Sequence, residues 1–447
     1  MRLDRLQIQN FRCYENATFD FQPGFNLVVG INGSGKTSLL QAVSLSFRNF
    51  VNSLGKPAPI VPDEDVRSEI RKFEDRLRFE RIYPLTVTAT GTAFGFNSWV
   101  VSKDRNGNSA NFDVDINLKI SKELQLIDSG DTLDLPLIAV YKANRRWLSS
   151  GTSAESAVTQ QSSRFDAYTN WFDAAANLKE FENWVIGKTL ERLQRMSRSG
   201  PRENFDDELH WVNSTLKIAL PNSEGIEYDL ELRNLVVNFE AKSLLFNDLS
   251  DGQRGMIALI ADIARRICLL NPHMGNKVLK LTTGVVIIDE LDIHLHPAWQ
   301  RHIVSVLRSA FPKIQFIAAS HSPQIIGSLQ PEEVIVLSNG DASHPRVTYG
   351  LDSSSVLEEV MDVAQREPEI EQLLSELFST LEDNDLEKAK VQLQALQKRA
   401  PDLPEYSRAQ ALLKRKEIIQ RHRYPESGEH DAFDYVIARY AEQLLAQ

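Results

Sequence analysis

The chain has 447 residues, 42% of them hydrophobic, enough to bury a large core and build two or three structural units. Its two cysteines, Cys13 and Cys268, lie far apart, which excludes a disulfide framework or a zinc pair and fits a reducing cytoplasm. A net charge of −11 argues against a nonspecific DNA binder acting through its overall field. With no signal peptide at the start and no apolar run near roughly 18 residues, the expectation is a soluble cytoplasmic protein without membrane contact.

Residues 3–9 and 18–21 read as strands, followed by an apolar core strand at 25–29. Directly after it comes Gly30-Ile31-Asn32-Gly33-Ser34-Gly35-Lys36-Thr37-Ser38, a phosphate-binding loop. Glycines let backbone N–H groups turn inward around phosphates, and a helix starting near Lys36 aims its positive end at them. Lys36 is expected to reach the β- and γ-phosphates of ATP, and Thr37 to offer its hydroxyl to Mg²⁺. Leu39, Leu40 and Val43 form the apolar stripe of the helix behind.

About 210 residues separate Lys36 from Ser250. Residues 83–101 are β-rich, with Leu85, Val87 and Ala89 alternating against Thr86, Thr88 and Thr90. Residues 97–115 read as a hairpin or loop built on Asn106-Gly107-Asn108, and 150–163 as a loop rich in Ser, Thr, Gln and Ala. The stretch 164–196 reads as helical, with Phe165, Tyr168, Trp171, Phe172 and Ala175 at steps of three and four. It is too short and interrupted for a coiled-coil arm. Within 204–241, strands are expected at 228–232 and 235–239. Arg145, Arg146, Arg192, Arg195, Arg198 and Arg202 could line a local basic groove for DNA or RNA, or simply be solvated loop and helix arginines.

Leu249-Ser250-Asp251-Gly252-Gln253-Arg254 then precedes a helix at 253–270 carrying Met256, Leu259, Ile260, Ile263 and Ile267 on one side. Ser250 and Gly252 stand near its N-terminus, suited to grip a γ-phosphate. Val285-Val286-Ile287-Ile288-Asp289-Glu290 is a buried strand ending in two carboxylates, which emerge where open α/β sheets bind ligands. Asp289 is expected to hold Mg²⁺, directly or through water. Glu290 is expected to orient and deprotonate the attacking water.

Leu291-Asp292-Ile293-His294-Leu295-His296-Pro297 follows. His294 and His296 do not share a helix face, and no third ligand accompanies them as a transition metal would need. Phe316-Ile317-Ala318-Ala319-Ser320-His321-Ser322-Pro323 is another buried strand, whose His321 can donate to a γ-phosphate or serve only as a structural histidine.

The last hundred residues differ in kind. Residues 355–421 carry Leu, Glu, Ala, Gln and Lys on helical spacing, broken at Pro368 and at 400–404, which predicts two or three amphipathic helices. Residues 351–447 hold a net −8, leaving −3 for the first 350. A turn at 424–430 precedes a final helix at 431–445 whose Phe433, Ile437, Tyr440 and Leu444 suit a partner's groove. Asp431 and Asp434 there could hold a cation, though a solvated helix start explains them as well.

Taken together, Asn10-Phe11-Arg12, the phosphate loop, Leu-Ser-Asp-Gly-Gln, Ile-Asp-Glu with His-Leu-His-Pro, and Ser-His-Ser-Pro resemble the SMC, RecF and OLD group of cassette ATPases. The signature carries Asp251 where Gly is commonest but keeps Ser250 and Gly252. The stretches 135–141 with Arg145-Arg146-Trp147, Ser163-Arg164-Phe165 with Tyr168, and 349–361 are similar to the PtuA-like ATPases of Septu anti-phage systems and some retrons.

The resemblance implies an α/β, ABC-type (SMC/RecF-like) P-loop ATPase core with a β-rich lobe, a helical insertion and a helical C-terminal region. The ATPase domain would span 1–350 with its insertion at about 80–245, and 351–447 would serve oligomerisation or partner binding. It implies ATP and Mg²⁺ as ligands, slow hydrolysis, and a homodimer or larger homo-oligomer. In that assembly Ser250, Gly252, Gln253 and the loop containing Asp292 would meet the nucleotide across the interface. It further implies a separate HNH nuclease subunit, PtuB-like, since the tail offers none of the clustered acidic residues of an OLD-type nuclease. The competing reading is a RecF-like DNA-repair ATPase without a nuclease partner. No Q-loop glutamine stands out between residues 60 and 130.

Overall fold

The computed structural model describes residues 1–73, 76–105, 114–128, 132–145, 163–175, 178–199, 205–220, 222–338, 340–362, 367–401 and 403–423. The chain divides into two compact units, Met1–Met361 and Asp362–Gln447. The division falls at Met361 rather than 350, because the helix Ser353–Glu359 packs Val356 into the core of the first unit.

The described strands of that unit are β1 (Arg2–Phe11), β2 (Tyr14–Asp20), β3 (Phe25–Val29), β4 (Ser68–Phe73), β5 (Arg76–Arg81), β6 (Leu85–Ala93), β7 (Phe96–Lys103) and β8 (Leu137–Tyr141). After these come β9 (Ser223–Asp229), β10 (Asn234–Phe239), β11 (Lys242–Leu245), β12 (Gly284–Ile288), β13 (Ile314–Ala319), β14 (Val334–Ser338) and β15 (Asp341–Ser343). Six of them form a sheet in the order β15-β14-β3-β13-β12-β8, parallel except for the β15 edge. Every residue of β3, β8, β12 and β13 is buried, as their near-continuous apolar runs require of strands covered on both faces. The amide of Asn26 within β3 is satisfied by Gln22 and the Phe316 carbonyl.

The β-rich lobe is a four-stranded antiparallel sheet, β2-β1-β6-β7, with a three-stranded sheet β11-β10-β9 and a two-stranded ribbon β4-β5 elsewhere in the unit. Phe94 and Gly95, with φ +46° and +73°, turn the chain between β6 and β7. Residues 97–103 therefore belong to a strand, which the hairpin alternative allows, and the Asn106-Gly107-Asn108 site of the expected turn lies outside the described residues.

Two further expectations shift. The stretch 164–196 is not one helix but two short 3₁₀ turns, Arg164–Tyr168 and Trp171–Asp173, then a helix Lys179–Ser199. Asn170 adopts φ +52° between the turns, and the aromatic residues are held separately. Tyr168 Oη donates to the Pro136 carbonyl at 2.7 Å and Trp171 Nε1 to the Pro57 carbonyl at 3.1 Å. The strand expected at 228–232 runs instead from Ser223 to Asp229, because the Asp229 carboxylate accepts the backbone N–H groups of Glu231 and Leu232 and closes a turn.

The helix Asp251–Leu270 crosses the first unit and carries a buried charge cluster. Arg265 and Arg266 both bond Asp262, whose other partner is Tyr141 Oη at 2.9 Å, on β8. Burial alone would raise the Asp262 carboxyl, but the two guanidinium groups hold it below the usual range. Arg266 also bonds the carbonyls of Ala167, Thr169 and Ala174, fixing the aromatic segment to this helix.

In the second unit, Pro368–Glu382, Leu386–Arg399 and Glu405–Arg423 are helical. As expected, the helical stretch is interrupted before Pro368, which opens the first of these helices at the position where its missing N–H is harmless. Leu374, Leu377, Leu381, Ala389, Leu396 and Ala409 form their shared core. The final helix expected at 431–445, with Asp431 and Asp434, lies outside the described residues. Among the described residues, no helix is long and apolar enough to cross a membrane.

Candidate nucleotide-binding site

Four neighbouring parallel strands, β3, β13, β12 and β8, end at one edge of the main sheet, and each delivers a polar residue there. From β3 the chain enters the phosphate loop and the helix Lys36–Ser46, capped by Gly35 at φ +102°. A Cβ at Gly35 would lie 2.6 Å from Tyr14 Oη, so the position admits glycine alone. Ile31, Asn32 and Gly33 are exposed at the loop's crest.

Lys36 Nζ donates to the carbonyls of Gly30 and Ile31, both at 2.9 Å, and so lies folded along the loop. Burial lowers its pKa against the opposing pull of Asp289 and Glu290. Ser34 Oγ is buried and finds no hydrogen-bond partner among the described residues. An orphaned hydroxyl, a lysine turned into the loop and a helix N-terminus together fit a bound polyphosphate.

Strand β12 brings Asp289 and Glu290 to the same place. Thr37 Oγ1 donates to Asp289 Oδ2 at 3.1 Å, so the two residues expected at Mg²⁺ stand together. That pairing of a hydroxyl with a carboxylate is the donor set a hard divalent cation takes alongside phosphate oxygens and water. Glu290 has φ +48°, a left-handed conformation uncommon for a glutamate.

From β13 come Ser320 and His321. Burial lowers the His321 pKa, with Lys36 acting the same way and Asp292, Glu290 and Asp289 opposing it. A neutral imidazole is thereby favoured at neutral pH.

Asp292 turns toward its own chain: Oδ1 accepts from Ser320 Oγ at 2.5 Å and from the His321 backbone N–H at 3.3 Å. Gln300 extends this tie by donating to the carbonyls of Asp292 and Leu295 and accepting from Ser322 Oγ. Asp292 thus braces the 291–297 loop against the His321 strand. His296 Nδ1 caps the short helix Pro297–Gln300, and among the described residues no group of three His, Cys, Asp or Glu could hold a metal ion.

Ser250 caps the helix Asp251–Leu270, its hydroxyl accepting from Gln253 N while Gln253 Oε1 accepts from Ser250 N. Ser250 is exposed. Gly252 is buried, and a Cβ there would lie 2.4 Å from the His294 carbonyl, so the signature turn rests on the 291–297 loop. Among the described residues, no hydrogen bond joins Ser250, Gly252 or Gln253 to the phosphate loop. The residues thus fall into a phosphate-loop group and a separate, surface-facing signature.

The fourth strand supplies a residue that motif reasoning misplaced. Arg145, read as either part of a basic groove or a solvated loop arginine, is turned inward after β8. It donates to the carbonyls of Asp289 at 2.6 Å, Glu290 at 2.8 Å and Lys142 at 3.2 Å. Burial lowers its pKa to about 10, against the pull of Asp289, Glu290 and Asp292. The only advance signal was its place just beyond an all-apolar strand. Of the other groove candidates, Arg192 pairs with the buried Asp207 and Arg195 with Glu191, while Arg198 is exposed and Arg146 and Arg202 lie outside the described residues.

A phosphate loop, two carboxylates and a histidine converging at the C-terminal edge of a parallel sheet define the P-loop ATPase class. The chain belongs to the family described as AAA domain, putative AbiEii toxin, Type IV TA system, whose model matches residues 25–327, and a second AAA domain model matches residues 1–48. Within it the chain is PtuA-like. It is 28% identical to the retron Ec83 probable ATPase of Escherichia coli, over 83% of this chain and 78% of the relative. It is 23% identical to the Septu protein PtuA of Bacillus thuringiensis, over 86% and 91%. Among solved structures, an SMC head bound to the C-winged helix domain of ScpA aligns with a TM-score of 0.46 at 12% identity, covering 77% of this chain and 97% of that one. That match is too loose to add to the topology already described.

Proposed function

We propose that this chain binds Mg·ATP at Lys36, Thr37 and Asp289, hydrolyses it slowly, and does so in sites completed by the signature of a second copy. The observation that carries the reading is the Thr37–Asp289 hydrogen bond beside the loop that Lys36 closes. Backbone N–H groups of residues 30–38 would cradle the phosphates, and Lys36 would swing from its two carbonyls to the β- and γ-oxygens. Mg²⁺, held by Thr37 and Asp289, would neutralise charge on those oxygens. Glu290 would take the proton of the attacking water, and His321 would donate to the γ-phosphate and hold it in line.

The exposure of Ser250 and the surface position of its helix N-terminus support a signature that serves a neighbouring copy. A phosphate there would meet the free N–H groups of the helix start. The likeness to retron and Septu ATPases, which extends over most of the chain, supports a role in an anti-phage defence complex and favours it over a RecF-like repair role. In that complex the chemistry on DNA or RNA would belong to a separate HNH nuclease chain, with this chain as regulator and scaffold.

Purified protein should release phosphate from ATP only with Mg²⁺, at a rate rising faster than linearly with protein concentration as sites form between copies. Co-purification from the native operon should recover a nuclease whose activity responds to ATP. A rate indifferent to Mg²⁺, or strictly proportional to concentration across the assembly range, would count against the composite ATPase.

A further inference from the structure

The peptide carbonyls of Asp289 and Glu290 flank the Glu290 Cα, and the Arg145 guanidinium donates to both, from Nη1 at 2.6 Å and Nη2 at 2.8 Å. Fixing the two peptide planes on either side of one residue fixes its φ and ψ, and with them the direction of its Cβ. Glu290 occupies the left-handed region, which a non-glycine residue leaves unless its surroundings hold it there. We propose that Arg145 is a positioning residue for Glu290, holding the backbone conformation that aims the carboxylate at the attacking water. This rests on the ATPase reading above.

Two further observations and the chemistry of the guanidinium support it. The Arg145 side chain is half-buried, and among the described residues all its hydrogen bonds go to backbone carbonyls, those of residues 141–142 and 289–290. The Asp289, Glu290 and Asp292 carboxylates lie near enough to favour its charge, yet among the described residues it hydrogen-bonds none of them, which a geometric demand on the 289–290 backbone explains better than general cohesion. The segment that carries Arg145 is itself anchored: the Tyr141 carbonyl accepts the Asp289 N–H at 2.8 Å, and Tyr141 Oη is held by Asp262 on the signature helix. The planar fork presents Nη1 and Nη2 to the two carbonyls at a fixed mutual angle, which a single rotating ammonium does not impose, so lysine is a partial substitute at best.

The test uses full-length protein with Arg145→Met, Arg145→Lys, Glu290→Gln and the double variant Arg145→Met with Glu290→Gln. Steady-state kinetics, equilibrium ATP affinity and thermal melting are measured for each. Arg145→Met should lower kcat about 100-fold while KM and ATP affinity stay within about threefold, the effect of misaiming a reacting group without removing substrate contacts. Arg145→Lys should recover about a tenth of the wild-type rate. With Glu290 already replaced, adding Arg145→Met should change the residual rate little, because there is no longer a carboxylate to aim.

Unchanged kcat, or a joint fall of kcat, affinity and melting temperature in both Met and Lys variants, would overturn the proposal in favour of no role or a purely structural one. So would a double variant slower than Glu290→Gln by the full factor seen in the single one. A wild-type protein that binds ATP but never turns it over would instead remove the ATPase reading itself, and the positioning role with it.

Discussion

Lys36→Ala should lose ATP binding, with affinity down by about 100-fold or more, because Lys36 is the only side-chain cation within residues 30–38. Its ammonium is already desolvated against the loop, where a charge acts through a lower dielectric than in water. The Ile31 carbonyl it now bonds belongs to an exposed residue and can be taken up by solvent, while the buried Gly30 carbonyl loses its partner, so the melting temperature should fall somewhat and the fold survive. Titration with a fluorescent ATP analogue, beside a melting curve, checks this. A folded Lys36→Ala protein with wild-type affinity would remove the assignment of the loop.

Glu290→Gln should do the opposite, keeping nucleotide and losing turnover. The amide keeps the size and backbone of glutamate but cannot accept the proton of the attacking water, a loss of about 10²- to 10⁴-fold in rate. Neither backbone bond from Arg145 involves the side chain, so the local geometry should persist. Nucleotide extracted from the variant should be intact ATP, and size-exclusion chromatography with Mg·ATP should show larger assemblies than the wild type. Turnover at the wild-type rate would mean that another residue is the base.

The parts of this site that the sequence made legible are those whose chemistry is local. Residues 25–38 carry strand, turn and helix start, and 285–290 strand and polar end, each in one continuous run, so burial and motif agree without reference to the rest of the chain. Arg145 was not legible, because its role depends on β8 lying beside β12, an adjacency made by long-range parallel pairing.

The aromatic stretch after Ser163 misled for a related reason. Residues three and four apart fit a helix, but the same spacing arises from consecutive 3₁₀ turns whose side chains reach the carbonyls of Pro57 and Pro136. Strands β4 and β5 gave no signal, since Arg71, Lys72 and Arg78 crowd the ribbon and Ile70 and Phe79, paired across it, remain exposed. Asp292 was read by its motif as a residue of the nucleotide interface. Its bonds to Ser320 and His321 appear only when β12 and β13 are set side by side.

The central claim is that one catalytic site needs two copies of the chain, and mixing two inactive variants tests it most directly. Lys36→Ala cannot bind ATP in its own phosphate loop, and Ser250→Arg blocks the exposed helix start that would close on a partner's nucleotide. Neither alone should hydrolyse ATP. A mixed dimer retains one of its two sites with an intact Lys36 loop and an intact Ser250 signature, so each mixed dimer should regain about half the turnover of a wild-type dimer, and an equimolar mixture pairing at random about a quarter. No recovery of phosphate release in a mixture whose mixed dimers have been demonstrated by differential tagging would contradict the account and place the whole site within a single chain.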